Sequence, residues 1–444
     1  MKKLVLGFAF LALTVTSHGQ WVEQNTNFPA PGIGIIDLDA VNDTVAWAAG
    51  RDMSLPGTVP VQYFTKTSDG GNSWSYGSID SAAGMHLSSI SALNSQVAWV
   101  SAYFVDSLGN SSGKIFKTTD GGQNWQHQAT AQFSSPLGFI NKVYFFDANN
   151  GVAIGNVNND YFEIYTTANG GDNWVRVPQA NIPAAQQNET AYINVFSAYN
   201  NKIWFGTTGA RVFISEDKGL NWTAANTGLT RSDSTMPVIT NIDFRNATIG
   251  LVQNDSTIRR TNDGGLTWND INITGPVFNY DLRYVTGSAQ TWISTGANIL
   301  LNHVGSSISY NDGLDWVLLD DTVMHTVIDF VNENTGWSGG ITNGNTEGGI
   351  FKWAGPNSII NTEKQLACAV YPNPASGVLY VSGLEAGAPA QLQIVDIMGR
   401  QILNQQINQQ NQPAGINLPA TATGIHFLII NQNGKVFKQK VILK

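Results

Sequence analysis

Short apolar runs bounded by Gly, Asn, Ser and Asp punctuate the chain from Trp21 onwards, each too short for an ordinary helix. Runs such as Val97-Ala98-Trp99-Val100-Ser101 and Lys114-Ile115-Phe116-Lys117 read as strands. The turns between them repeat. Thr67-Ser68-Asp69-Gly70-Gly71-Asn72-Ser73-Trp74 returns with Asp120 and Trp125, Asn169 and Trp174, Asp217 and Trp222, Asp263 and Trp268, and Asn311 and Trp316. Successive tryptophans lie 51, 49, 48, 46 and 48 residues apart. These residue types suit a hairpin loop. Asp or Asn accepts hydrogen bonds from the N–H groups just ahead, glycine supplies positive φ, and tryptophan buries itself to pin the turn.

A second element precedes each box: Val45-Ala46-Trp47-Ala48, Val97-Ala98-Trp99, Gly151-Val152-Ala153, Lys202-Ile203-Trp204, Ile249-Gly250-Leu251 and Gly336-Trp337-Ser338. Together they predict four strands per repeat, the unit of a propeller blade. Met324 to Trp353 supplies three strands of a last unit but neither a box nor a fourth strand. Trp21-Val22-Glu23 resembles the strands that follow boxes, and Trp21 precedes Trp74 by 53 residues. The expected fold is therefore all-β, a seven-bladed propeller closed by its N-terminal strand, because closure removes exposed strand edges. A small Ig-like β-sandwich is expected after it, from the alternating segments that follow Val370.

The repeated turns resemble the Asp-box (BNR) family, Ser/Thr-x-Asp-x-Gly-x-x-Trp, found in sialidases, sortilin-type receptors and photosystem II assembly factors. The resemblance covers residues 20–353 and implies a propeller with boxes at the blade periphery. It is nearly silent on function. At most two carboxylates per loop fall far short of the oxygen ligands calcium needs, so the boxes read as structural and no metal or cofactor is expected. The last segment resembles the type A C-terminal sorting domain of the type IX secretion system. Tyr371-Pro372-Asn373-Pro374, then Asp396, Gly399 and Arg400, then Gly424 and a terminal strand with Lys435 and Lys440 carry that likeness. It implies partners in the secretion machinery and a sortase-like peptidase that removes the module, with the remainder released or held at the cell surface.

The start of the chain agrees. Lys2 and Lys3, an apolar run from Leu4 to Val15, and small Ser17 and Gly19 read as an export signal cleaved between Gly19 and Gln20. The expected organisation is thus 1–19 signal, 20–353 propeller, 354–369 linker and 370–444 sorting domain. No other stretch approaches a membrane helix, and a lone Cys368 excludes an intrachain disulfide. Charged residues make up only 12% of the chain and the net charge is −9, which argues against a nucleic-acid binder. Arginines are scattered, and the Arg-Ile-Pro signature of sialidases is absent. No paired metal spacing or phosphate loop is present.

The candidates for chemistry are Asp39, Asp243 and Asp329, which fall at one equivalent position on the innermost strands when blades are aligned. Two carboxylates across a cleft would serve a glycoside hydrolase or lyase. Against that, such acids also cap strands. The inserts at 51–62 and 103–113 offer loops for recognition on a rigid scaffold. The leading expectation is a monomeric, secreted or surface-anchored module that binds a glycan or protein without catalysis. The alternatives are the hydrolase or lyase and a purely structural surface protein.

Overall fold

The computed structural model describes residues 20–54, 60–133, 138–230, 239–255, 257–298, 303–343, 347–355, 368–384, 388–396, 401–407, 413–419, 422–433 and 435–444. The proposed signal, the greater part of the linker, and Gly399 and Arg400 fall outside them. The chain divides into two units, 1–358 and 359–444.

The first unit is a ring of antiparallel four-stranded sheets. Blade 1 meanders through Ile33–Ala40, Ala46–Asp52, Tyr63–Thr67 and Ser75–Ser78. Blades 2 to 6 repeat the order, with first strands His86–Ala92, Ile140–Phe145, Ala191–Tyr199, Asn241–Phe244 and Asp281–Tyr284. Blade 7 takes Ile328–Asn332, Thr335–Thr342 and Gly348–Trp353 from late in the chain. Its fourth strand is Trp21–Asn25, which pairs antiparallel with the third from Trp21↔Trp353 to Asn25↔Gly349. First strands of successive blades adjoin one another all the way round, blade 7 returning to blade 1. Seven blades thus surround a central channel.

The second strands explain the packing. Ala46, Trp47, Ala48 and Ala49 are fully buried, as are Trp99, Trp204 and Trp337 at the place equivalent to Trp47. A strand covered on both faces reads as a continuous apolar run. Small residues on one side admit the neighbouring sheet, and tryptophan fills the wedge on the other. Trp99 stacks on Phe145 of the next blade at 3.5 Å between ring centroids, and Trp204 on Phe244 at 3.7 Å. At the ring closure Trp21 sits edge-on to Trp353 at 5.0 Å and donates to Ser306 Oγ of blade 6 at 3.0 Å. The closing strand is therefore clasped by two blades.

The insert at 103–113 is not an open loop. Ala98–Val105 and Ser111–Thr118 pair continuously to the tip, where Asp106 Oδ1 accepts from the N–H groups of Leu108 and Asn110 at 2.9 and 2.8 Å. Alternation through Tyr103, Phe104 and Val105 extends the ladder past the point where a loop is expected. Of the other insert, residues 55–59 lie outside the described set.

The second unit is a sandwich built on Ala369–Ser376, which serves two sheets. Its first half pairs with Val378–Ser382, and Ala375 pairs parallel with Leu443 of the terminal strand. The sandwich is thus not wholly antiparallel. The switch falls at Pro372 and Pro374, which have no N–H to continue a ladder. Asn373 splices the gap: its amide donates to Lys440 O at 2.9 Å and its Oδ1 accepts from Ile442 N–H at 2.8 Å.

Candidate functional site

An innermost strand has one edge paired within its blade and one edge facing the channel. The N–H groups of that free edge need acceptors. Side chains of the preceding blade provide them. Asp37 and Asp39 of blade 1 accept from Ile90 and Ala92 of blade 2 at 2.8 and 2.7 Å. Ser89 and Ser91 accept from Val143 and Phe145 of blade 3 at 2.8 and 3.1 Å. The series continues with Ser197 to Phe244 (3.0 Å), Asp243 to Tyr284 (2.7 Å), Asp281 to Ile328 (2.9 Å) and Asp329 to Ala40 (2.8 Å). Only short polar side chains reach, so Asp and Ser alternate in one role.

The three candidate carboxylates therefore stand at equivalent positions, opposite Trp47, Leu251 and Trp337 of their second strands. Ser91, Ser197, Tyr144 and Arg283 hold the same place in the other four blades, Arg283 standing opposite Ile293. Burial raises the carboxyl of Asp39 to about 7, helped by the nearby charge of Asp329 and opposed by the Ala92 N–H and Lys142. Burial likewise raises Asp329 to about 6, against the Ala40 N–H. Asp243 is also raised by burial, although Arg283, Tyr284 N–H and Ser197 oppose it.

These residues line a cavity of about 580 Å³ in the channel, with Lys142, Tyr144, Phe196, Tyr199, Arg245 and Tyr284. Because Tyr199 ends its first strand and Arg245, Thr286 and Gly287 lie beyond the ends of theirs, the cavity lies toward the face carrying the first turns of the blades. Cross-channel bonds floor it. Lys142 Nζ reaches Asp37 Oδ2 at 2.6 Å from two blades away, and Asn194 of blade 4 donates to Ile36 O of blade 1. Arg283 donates to Phe196 O and Ile242 O at 3.0 and 3.3 Å and pairs with Asp281 at 3.3 Å. Burial, which would lower its pKa, is outweighed by Asp281 and Asp243, so the guanidinium stays charged. Asp37, Asp281, Lys142 and Arg283 are neighbours of the candidate carboxylates that sequence reasoning missed. The alternation Asp37-Leu38-Asp39, echoed by Ser89-Ile90-Ser91, is the signal that points to the first of them.

The six box turns share one geometry. Thr67 Oγ1 accepts from Asp69 and Gly71 N–H at 3.3 and 2.8 Å and donates to Asp69 Oδ1 at 2.8 Å. Asp69 then accepts from Ser73 N–H and O–H at 2.9 and 2.6 Å. The same bonds recur from Thr118 and Asp120, Thr167 and Asn169, Ser215 and Asp217, Thr261 and Asp263, and Ser309 and Asn311. Gly71 needs its φ of +82°, and a Cβ there would meet the Gln24 side chain at 2.6 Å. Trp74, Trp174, Trp222, Trp268 and Trp316 are buried and Trp125 is half-buried. Among the described residues, no group of three or more His, Cys, Asp or Glu side chains could hold a metal ion. No helix among them is long and apolar enough to cross a membrane.

A closed ring of seven blades followed by a two-sheet module defines a β-propeller joined to a separate C-terminal domain. Residues 369–444 match the family described as secretion system C-terminal sorting domain, which directs a protein to export and the cell surface. The propeller is similar to solved structures of YCF48. The one from Cyanidioschyzon merolae has a TM-score of 0.52 and 17% identity, covering 75% of this chain and 98% of that one. A YCF48 structure with a D1 peptide has a TM-score of 0.51 and 16% identity, covering 77% and 98%. A Trypanosoma rangeli sialidase aligns at a TM-score of 0.42 and 9% identity, over 96% and 89%. No curated protein sequence matches the chain.

Proposed function

We propose that the chain is an exported, surface-displayed binding module that takes a glycan or a protein ligand on its propeller and performs no catalysis. A type IX apparatus would pass it across the outer membrane, and a sortase-like peptidase would remove the sorting domain. The observation that carries the non-catalytic reading is the commitment of Asp39, Asp243 and Asp329 to main-chain N–H groups of the following blade. Serines 89 and 91 do the same work at blade 2, so the role does not require acid–base chemistry. The aromatic and charged lining of the cavity suits a polar ligand with apolar faces. One YCF48 structure holds a peptide, so peptides belong in the same screen as sugars.

The test exposes the full-length chain to glycan and peptide arrays and to polysaccharides, assaying bound ligand and released reducing ends on one preparation. Binding without release is expected; release of sugar overturns the reading. One observation favours a hydrolase or lyase instead. Asp39 near 7 and Asp329 near 6 occupy adjoining blades and could share one proton at neutral pH. In that case D39N/D329N abolishes turnover while the fold persists.

A further inference from the structure

The opposite end of the channel carries a second set of side chains that the inter-blade bonds do not use. Arg51 lies opposite Gly34, at the beginning of the first strand of blade 1. His86 begins the first strand of blade 2 and lies opposite Tyr103. Phe139 immediately precedes the first strand of blade 3, Tyr192 is the second residue of that of blade 4, and Tyr280 immediately precedes that of blade 6. First strands surround the channel, so these residues from five blades converge on one mouth. It is the mouth at which the hairpin of Ala98–Val105 and Ser111–Thr118 turns, and it faces away from the first turns.

The chemistry of this mouth is specific. The rings of His86 and Tyr103 stack at 5.4 Å, and Tyr103 meets Phe139 at 4.1 Å, forming an aromatic wall. Tyr192 and Tyr280 are 51% and 42% exposed, large rings left open to solvent. Burial raises the phenol of Tyr280, and the neighbouring Tyr192 adds to it. The charge of Arg51 is felt by His86 and Tyr103 on one side and by Tyr280 on the other. Among the described residues the side chain of Arg51 makes no hydrogen bond and no ion pair, while its neighbour Asp52 is engaged by the N–H and O–H of Ser54 at 2.9 and 2.5 Å. One polar atom of this mouth, His86 Nδ1, is buried without a partner, and so is Oδ1 of Asn194, whose amide spans the channel to Ile36 O. An orphaned polar atom costs free energy unless a ligand or water completes it.

We propose that this mouth binds an acidic sugar residue, a uronate, with Arg51 on its carboxylate. Tyr192 and Tyr280 take the apolar faces of the pyranose rings, and a sugar hydroxyl completes His86 Nδ1. A guanidinium fits a carboxylate in two parallel hydrogen bonds, and exposed tyrosines supply broad rigid surface at small entropic cost. The site rests on the binding reading above and gives it a ligand class and a face.

Calorimetric titration of the full-length chain with oligogalacturonate, neutral oligogalactoside and oligoglutamate tests it. Oligogalacturonate is expected to bind, the neutral sugar to bind far more weakly, and added salt to weaken the acidic ligand. R51Q should lower uronate affinity roughly 10- to 100-fold, since a charge-assisted pair is lost, with R51K intermediate. Melting should be unchanged in both, because the side chain of Arg51 holds no described neighbour by a hydrogen bond. Equal uronate affinity in wild type and R51Q overturns the site. Loss in Y199A with none in R51Q moves the ligand to the other cavity, overturning this site but keeping the binding reading. Binding of oligoglutamate alone overturns the sugar assignment, and binding of none of the three probes overturns the proposal.

Discussion

Within the box turns, acid and amide exchange places without changing the bond. In the second copy Asp120 Oδ2 accepts from Asn124 Nδ2 at 2.7 Å. In the sixth the polarity reverses, with Asn311 Nδ2 donating to Asp315 Oδ2 at 2.7 Å. We therefore expect D120N and N124D each to lower the melting temperature and the D120N/N124D pair to restore it, as a double-mutant thermal series would show. Asp312 is a different case. It takes a φ of +57° where most copies have glycine, is 1% exposed, and pairs with Arg245 at 3.3 Å and Arg260 at 3.1 Å. Both arginines come from the preceding blade. D312A leaves two half-buried cations without their carboxylate and the buried Trp292 indole N–H without its acceptor, and should cost about 1–3 kcal/mol in denaturant unfolding.

A blade is held by its own ladder, but the ring is held by what passes between ladders. Trp21 is the strongest example, fully buried against Trp353, Phe330 and His325 at 5.0, 6.1 and 5.2 Å. W21A should lower stability by about 3–5 kcal/mol, measured by chemical unfolding, with the sorting domain's own transition unmoved. The propeller was legible in the sequence because its signals are local: a box, its tryptophan and the strand after it lie within a few positions. Trp21 was legible for the same reason, matching Trp174-Val175 and Trp316-Val317 in type. The channel was only partly so. Asp39, Asp243 and Asp329 align across repeats, and Asp37 aligns equally with Ser89 and Asp281, but the exchange of Asp for Ser hides their common role. Lys142 meets Asp37 across 105 residues of chain, and Arg283 meets Phe196 across 87. Ring geometry alone makes such pairs neighbours. At 103–113, polar Ser111, Ser112 and Gly113 mask a strand, so the hairpin reads as a loop in the sequence.

At the scale of the molecule, two sets of carboxylates pull stability in opposite directions with pH. In the boxes, hydrogen bonds from Ser73 hold Asp69 down to about 2, and those from Asn124 hold Asp120 there too. Their contribution is present above pH 4 and is lost as pH falls toward 2. In the channel, Asp39 is raised to about 7, so the folded state binds its proton more tightly than the unfolded chain. That contribution is complete below pH 4 and is lost as pH rises through 7. D39N keeps an acceptor for Ala92 and removes the charge. It should melt with wild type near pH 4 and above it at pH 8, the gap widening by at most about 1.4 kcal/mol per pH unit between. A gap that does not change with pH would contradict this assignment.

The pairing of Trp21–Asn25 with Gly348–Trp353 works as a length gauge. A product truncated anywhere before the last strand has an opening strand with nothing to grip, and it lacks residues 369–444 as well. Any chain long enough to carry its export address therefore already contains both halves of the clasp. Incomplete copies are disqualified twice, by an unfinished ring and by a missing label, with no separate inspector needed to tell them from finished ones.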